Sequence, residues 1–392
     1  MNQLAFNTNE GYLPYLESLI KNYIAYNREP IRAIILHNIK DIDSSKAVEK
    51  FLATFSEYKG IEFKFHYFAK EELISLGMSE EHAGNVANYR LMLPSLPYSG
   101  KVLYLDIDVM IAANIEELFN TDVLNGHSIG VIPDLCNIQH KFFSLPYFDH
   151  RFLQELREID FNEQEKYFNS GILLCDLDKI KEKKYYWPDY FAKYLDRPTL
   201  LPDQDILNLI HLDDKQELPF AYNYPMKYLI SQRFVLNHYG WYKKYEKFKA
   251  KGLTPEFYRP KILHFLEKHK QWNSYAPEWV DFYNLFAKQS ITELVQKPIS
   301  YYDELISDIY QRYQYIPCLM DLDMTELLVR GRKDVQRNWT TKPWQVNQIV
   351  INPFYVKPYN IFHRLYLRYA FKNEKGQKKL YNFALKVYKN NK

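Results

Sequence analysis

The segment Lys101-Val-Leu-Tyr-Leu-Asp106-Ile-Asp108-Val-Met-Ile111 ends an apolar run on two carboxylates one residue apart. Residues i and i+2 of a strand face the same side, so Asp106 and Asp108 are expected to converge on one hard cation. Oxygen ligands of this kind suit Mg²⁺ or Mn²⁺, which keep positions open for substrate phosphates. Without a cation between them, two close carboxylates flanked by Leu105, Ile107 and Val109 are costly to desolvate. The same Asp-x-Asp spacing recurs at Asp176-Leu-Asp178 and Asp321-Leu-Asp323, so position has to select among the three.

The elements that would carry the pair follow from the surrounding pattern. Short β-rich or alternating runs predict strands at Gln3–Phe6, Arg32–Leu36, Ile61–Tyr67, Val102–Leu105, Ser128–Ile132 and Gly171–Cys175. Helical patterns fall between several of them, at Tyr12–Tyr23, Ser44–Phe55 and Ala87–Leu93. This alternation predicts an α/β fold with a mainly parallel sheet flanked by helices. Ligands of such sheets gather beyond the carboxyl ends of the strands, which is where Asp106 and Asp108 lie. Asp176 instead opens a basic helical stretch, as an N-cap does, and Asp321-Leu-Asp323 has no comparable strand context. After about Lys288 the sequence turns to Tyr- and Lys-rich stretches of helical periodicity, such as Leu305, Ile306, Ile309, Tyr310 and Tyr313. The expected division is therefore a catalytic domain over 1–288 and a mostly helical basic extension over 289–392.

Further clusters stand in a fixed order around the Asp pair. Upstream is Asn88-Tyr89-Arg90-Leu91-Met92-Leu93-Pro94, with one cation among apolar neighbours. Downstream come Tyr167-Phe168-Asn169-Ser170-Gly171, then Leu201-Pro202-Asp203-Gln204-Asp205-Ile206-Leu207-Asn208, then His264-Phe265-Leu266-Glu267-Lys268-His269-Lys270-Gln271-Trp272. The ordered set resembles the retaining glycosyltransferases of family 8, the galactosyl- and glucosyltransferases related to glycogenin and to bacterial lipopolysaccharide-core enzymes. The resemblance covers about residues 1–275.

The resemblance implies a GT-A fold, a UDP-sugar donor, Mn²⁺ (or Mg²⁺), and transfer with retention at the anomeric carbon. On this basis Asp106 and Asp108 match the metal-binding pair and His264 the third metal ligand; a neutral imidazole beside two carboxylates is sound Mn²⁺ chemistry. Lys270 matches the cation that neutralises the leaving diphosphate. Arg90, with its planar fork, and Asn169, able to donate and accept, match donor-binding positions. Asp203 is expected to hold sugar hydroxyls. Gln204 and Asp205 are the candidates for stabilising the oxocarbenium-like transition state or forming a transient adduct. Near the amino terminus, Thr8, Asn9 and Tyr12 lie in a stretch matching the nucleotide-contacting loop, with Asn9 where Asp is usual. Glu267 and Gln271 stand where the family has Gly and Pro. Glu267 adds a side chain and a negative charge where phosphate should approach.

Composition bounds the rest. The 392 residues, 47% hydrophobic and 25% charged, describe a globular protein with room for a full catalytic domain and an appendage. Cys136, Cys175 and Cys318 form neither a disulfide framework nor a metal knuckle, which favours a reducing compartment. No secretory signal and no apolar stretch of roughly 18 residues is visible, so a cytoplasmic protein is expected. From Thr341 onward nine lysines, Arg364 and Arg368 face only Glu374, a net of +10 that leaves −7 on the preceding 340 residues. Interleaved with Tyr355, Tyr359, Phe362, Tyr366 and Tyr369, these cations suit the anionic inner face of a membrane, where a glycolipid acceptor would be presented. No nucleic-acid motif accompanies them. The function expected is transfer of galactose or glucose from a UDP-sugar to a glycan acceptor, in bacterial surface polysaccharide or lipooligosaccharide synthesis. Two other classes compete: a catalytically impaired sugar-nucleotide-binding or scaffolding protein of the same fold, for which Glu267 and Asn9 speak, and a haloacid-dehalogenase-like phosphatase, whose later Gly-Asp motif is missing.

Overall fold

The computed structural model describes residues 1–120, 122–134, 167–184, 188, 202–226, 260–266, 270–273 and 277–315. They fall into two compact units. The first holds the described residues of Met1–Asn223, Pro260–His264 and Tyr283–Asp303, the second those of Tyr224–Arg259, Phe265–Phe282 and Glu304–Lys392.

The first unit is built on β1 (Asn2–Thr8), β2 (Ile31–His37), β3 (Ile61–Tyr67), β4 (Lys101–Leu105), β5 (Val109–Ile111), β6 (Ile129–Pro133), β7 (Phe168–Asp176) and β8 (Gln216–Glu217). All but β5 form one sheet in the order β3-β2-β1-β4-β7-β6-β8. The pairs β1/β2, β2/β3, β1/β4 and β6/β8 are parallel, whereas β7 runs antiparallel to both β4 and β6. The predicted strands are present, and the continuous apolar runs explain the sheet's burial. Val102, Leu103, Tyr104 and Leu105 of β4 are wholly buried, as strands covered on both faces must be. Each such side chain contributes about 1.5–3 kcal/mol, which fixes where β4 ends and hence where Asp106 emerges.

Helix α1 (Leu13–Tyr26) starts with Pro14 in its first turn and is buried around most of its circumference, Lys21 being paired with Glu17 at 2.8 Å. Helix α2 (Lys46–Thr54) is capped by Ser45, whose hydroxyl accepts from the Val48 N–H. It packs Phe51 against Phe63 and Phe65 of β3. Short helices α3 (Lys70–Ser75) and α4 (Glu80–Ala83) follow β3. The helix predicted over Ala87–Leu93 is instead a 3₁₀ segment, Val86–Ser95. Pro94 explains this: it offers no N–H, and in an α-helix its ring would clash with the carbonyl of Arg90. Asp176 caps α5 (Leu177–Glu182) by accepting from the Lys179 N–H, so the second Asp-x-Asp pair serves a helix start. Asp321 and Asp323 lie outside the described residues. Helix α6 (Pro202–Ile210) buries Ile206, Leu207 and Ile210 as its sequence pattern predicts.

Beyond α6 come β9 (Tyr224–Pro225), β10 (Ile262–His264), α7 (Pro277–Lys288), α8 (Ile291–Gln296) and α9 (Ile299–Tyr315). The expected 288/289 boundary falls at the end of α7. In the first unit Tyr302 stacks on Tyr26 of α1 and on Phe286. In the second, the buried Trp279 packs edge-on to Phe265 and tilted against Tyr310. Among the described residues no helix is long and apolar enough to cross a membrane. The basic stretch 341–392 lies outside them.

Candidate active site

Strand β4 brings Asp106 to the carboxyl edge of the sheet, and the Asp106 N–H continues the ladder by donating to the Gly171 carbonyl at 2.8 Å. Asp106–Asp108 then form the turn into β5. The two carboxylates therefore converge through a turn, not through the strand pleat, because β5 leaves the main sheet. Asn22 of α1 fixes that departure. Its Nδ2 donates to the Ile111 carbonyl at 2.9 Å and its Oδ1 accepts from the Ile111 N–H at 2.6 Å. Strand β10 pairs antiparallel with β5, placing His264 opposite Val109. His264 Nε2 thereby lies 3.2 Å from Asp108 Oδ1 and 4.0 Å from Asp106 Oδ2.

The three residues offer ligand atoms that all lie within 4.8 Å of one another. An octahedral cation with bonds of about 2.0–2.1 Å sets neighbouring ligands about 3.0 Å and opposite ones about 4.2 Å apart, so the spacings suit a divalent ion. Charge points the same way. Burial raises the Asp106 carboxyl above its ordinary pKa, Arg90 pulls it down and Asp108 pushes it up again, with a net rise. Two carboxylates and an imidazole could hold a divalent cation.

Arg90 ties this cluster to α6. Its guanidinium donates to Asp106 Oδ1 at 2.8 Å and to the Ser170 hydroxyl at 2.9 Å, and its Nε lies 3.1 Å from Asp203 Oδ2. It also sits over the ring of Tyr104, whose hydroxyl donates to Asp106 Oδ1 at 2.7 Å. Burial opposes the Arg90 charge, yet Asp106, Tyr104 and Asp203 hold its pKa above the ordinary arginine value. On the core side Arg90 and Tyr104 line a cavity of about 500 Å³ walled mainly by Leu91, Met92, Leu173 and Leu207.

Asn208 mounts α6 on β7: its Oδ1 accepts from the Phe168 N–H and its Nδ2 donates to the Phe168 carbonyl, both at 2.8 Å. The Asp203–Asp205 turn thus meets Asn169 and Ser170. Gln204 Oε1 accepts from the Ser170 N–H at 2.9 Å and from Asn169 Nδ2 at 3.1 Å, while its Nε2 donates to the Tyr167 hydroxyl at 3.1 Å. Asp205 Oδ1 accepts from the Tyr167 hydroxyl; burial first, and then the Asp205 charge, keep that phenol protonated well above its usual range. Gly171 lets His264 and Asp106 approach closely. A Cβ there would lie 2.3 Å from His264 Cε1 and 2.8 Å from Asp106 Oδ2.

The remaining sequence candidates are placed as follows. Thr8 ends β1 and is buried, with its hydroxyl on the Asn9 carbonyl. Asn9 Oδ1 accepts from the Tyr12 N–H at 3.2 Å, and the Tyr12 ring is exposed. Lys270 belongs to the second unit, where its ammonium donates to the Phe265 carbonyl at 2.8 Å. Glu267 lies outside the described residues. Gly171, Tyr104, Ser170 and Asn223 were not among the sequence candidates; only Gly171 carried a local signal, a glycine inside a strand.

A family model described as "Glycosyl transferase family 8" matches residues 3–276, more than two thirds of the chain. The chain belongs to glycosyltransferase family 8. Among curated relatives of this family 8 transferase, General stress protein A of Bacillus subtilis is 25% identical over 50% of this chain and 62% of that protein. Glycosyltransferase GlyF of Streptococcus pneumoniae is 24% identical over 68% of this chain and 56% of that protein. The chain thus spans less than two thirds of either relative. Among solved structures, the galactosyltransferase LgtC in complex with donor and acceptor sugar analogs aligns with a TM-score of 0.54 at 21% identity, covering 73% of this chain and 95% of LgtC. The bifunctional glycosyltransferase WbbM aligns with a TM-score of 0.55 at 18% identity, covering 75% of this chain and 51% of that one. The architecture of the family 8 transferase is accordingly GT-A. Membership of this family gives the phosphatase alternative no support.

Proposed function

We propose that the chain is a retaining hexosyltransferase that takes galactose or glucose from a UDP-sugar, with Mn²⁺ or Mg²⁺, and passes it to a glycan acceptor of the bacterial surface. The observation that carries this reading is the Asp106, Asp108 and His264 cluster bridged by Arg90 to Asp203. The cluster would hold a diphosphate-bound cation, and Asp203, tied to it through Arg90, would bind the sugar. LgtC, a galactosyltransferase seen with donor and acceptor sugar analogs, supports the choice of substrate class. A peripheral, cytoplasmic-face location rests on the +10 charge of 341–392.

The chain's residues divide the work. Asp106, Asp108 and His264 would hold the cation, which supplies Lewis-acid stabilisation of the leaving UDP. Lys270 is assigned to the diphosphate charge by its motif. Asp203, fixed through Oδ2 by Arg90 and the Ser170 hydroxyl, receives sugar hydroxyls, and Asn169 contacts the same sugar. Gln204 and Asp205 are assigned to the β face of the anomeric carbon, where positive charge develops. Thr8, Asn9 and Tyr12 are assigned to the nucleotide.

The test is a panel of UDP-sugars assayed for UDP release with and without Mn²⁺. Metal-dependent release from UDP-galactose or UDP-glucose is expected. Metal-dependent donor binding with no release from any donor would refute catalysis and favour the scaffolding alternative.

A further inference from the structure

The imidazole of His264 can donate or accept at either nitrogen, and the hydrogen-bond network around it decides which. The deciding donors are two backbone N–H groups, which cannot flip. The Gly171 N–H donates to Asn169 Oδ1 at 3.0 Å, and the Ser170 N–H donates to Gln204 Oε1 at 2.9 Å. Asn169 is therefore oriented twice over: Oδ1 faces the Gly171 N–H, and Nδ2 donates to Gln204 Oε1 at 3.1 Å. Asn223 lies 2.9 Å from the same Asn169 Oδ1 and must present its NH₂ there. Its Oδ1 is then the atom 2.9 Å from His264 Nδ1. An amide oxygen only accepts, so His264 Nδ1 carries the hydrogen. In the neutral ring Nε2 is then a bare lone pair, aimed at Asp108 Oδ1 and Asp106 Oδ2.

We infer that Asn223 is a positioning residue that sets the His264 tautomer, transmitting the polarity of the Gly171 and Ser170 backbone through Asn169 to the metal ligand. The role rests on the reading of Asp106, Asp108 and His264 as a metal site. In the neutral Nδ1–H ring the Nε2 lone pair would lie 3.2 Å from the Asp108 carboxylate oxygen, a repulsive arrangement that a cation between the two would relieve. His264 is 1% exposed and Asn223 3%, so water does not offer the ring an alternative partner on an open surface. The same chain of amides ends on Gln204. Metal-ligand orientation and the α6 turn that carries Asp203–Asp205 thus share one set of hydrogen bonds.

The experiment uses the full chain in two measurements. Histidine-selective ¹⁵N NMR of the metal-free wild type reads the tautomer of the neutral ring, with His264→Gln assigning the signal. The Nδ1–H form is expected, and the Nε2–H form would overturn the relay. Mn²⁺ titration followed by EPR then compares wild type, Asn223→Ala and Asn223→Asp. Loss of the acceptor in Asn223→Ala should weaken Mn²⁺ binding about 10- to 100-fold. Asn223→Asp keeps an acceptor for Nδ1–H and should bind Mn²⁺ closer to wild type. Equal Mn²⁺ affinity in wild type and Asn223→Ala would overturn the relay while leaving the metal site standing. Failure of the wild type to bind Mn²⁺ would overturn the metal reading itself, and this role with it.

Discussion

Replacement of Gly171 by alanine is the sharpest perturbation of the site that adds no charge and removes no ligand. The new Cβ would sit 2.3 Å from His264 Cε1, whereas carbon atoms in contact keep about 3.5 Å, so one of the two must move by about 1.2 Å. The backbone of β7 has little freedom to give way. The Gly171 carbonyl accepts from the Asp106 N–H, its own N–H is held by Asn169, and Ile172 is in register with Leu105 of β4. The ring must yield, and it is clamped at Nδ1 by Asn223. Metal–ligand bonds tolerate only about 0.2 Å, so a displaced ring loses its bond. We expect Gly171→Ala to weaken Mn²⁺ binding at least about 10-fold and to cut metal-dependent turnover about 100-fold. The overpacking should cost about 1–3 kcal/mol of stability. Mn²⁺ titration by EPR, circular-dichroism melts and UDP release measure the three effects. A well-folded Gly171→Ala chain with wild-type Mn²⁺ affinity would refute the argument that the ligands close on that Cα.

Two further outcomes follow from the charge distribution. Asp108→Ala and Asp106→Ala should both abolish metal-dependent turnover. Only Asp106→Ala also strips a partner from the buried Arg90, so urea denaturation should find it less stable than Asp108→Ala by about 3 kcal/mol. Burial lowers the pKa of His37 and of His211 from 6.5 to about 4. Because the folded value is depressed, the unfolded chain takes up the protons first; stability is retained above pH 6.5 and lost as pH falls towards 4, by on the order of 3 kcal/mol per histidine. Denaturation curves across that window should show the fall, and His211→Gln should make it shallower. An unchanged slope in that variant would remove His211 from the account.

What was legible in the sequence is what local pattern encodes. The apolar run Val102–Leu105 places β4, and the position of Asp106 at its end separates that pair from Asp176 and Asp178, which serve α5. Asn169 and Asp203 lie in the first residues of β7 and α6, and Arg90 reaches this edge from the middle of the 3₁₀ segment through Ser170 and Asp203. The turn at Asp106–Asp108 was not legible, since the same tripeptide suits a strand or a turn. The choice is made by Asn22, 89 residues from Ile111, which pulls β5 out of the sheet. The 3₁₀ segment carrying Arg90 was encoded locally in Pro94, but apolar periodicity masks it. Asn223 has no local signature at all; its partners lie 41 and 54 residues away.

Asn22, Asn208 and Asn223 share a physical logic. Each uses one amide to accept and donate at once: Asn22 on both backbone groups of Ile111, Asn208 on both of Phe168, and Asn223 between His264 and Asn169. An aspartate in any of these places could accept but not donate; at 223 it would set a carboxylate against Asn169 Oδ1, two acceptors face to face. It would also add negative charge to a site where Asp106, Asp108 and Asp203 already outnumber Arg90. Neutral amides hold the framework without altering that balance, so the surplus of negative charge stays concentrated on Asp106, Asp108 and Asp203.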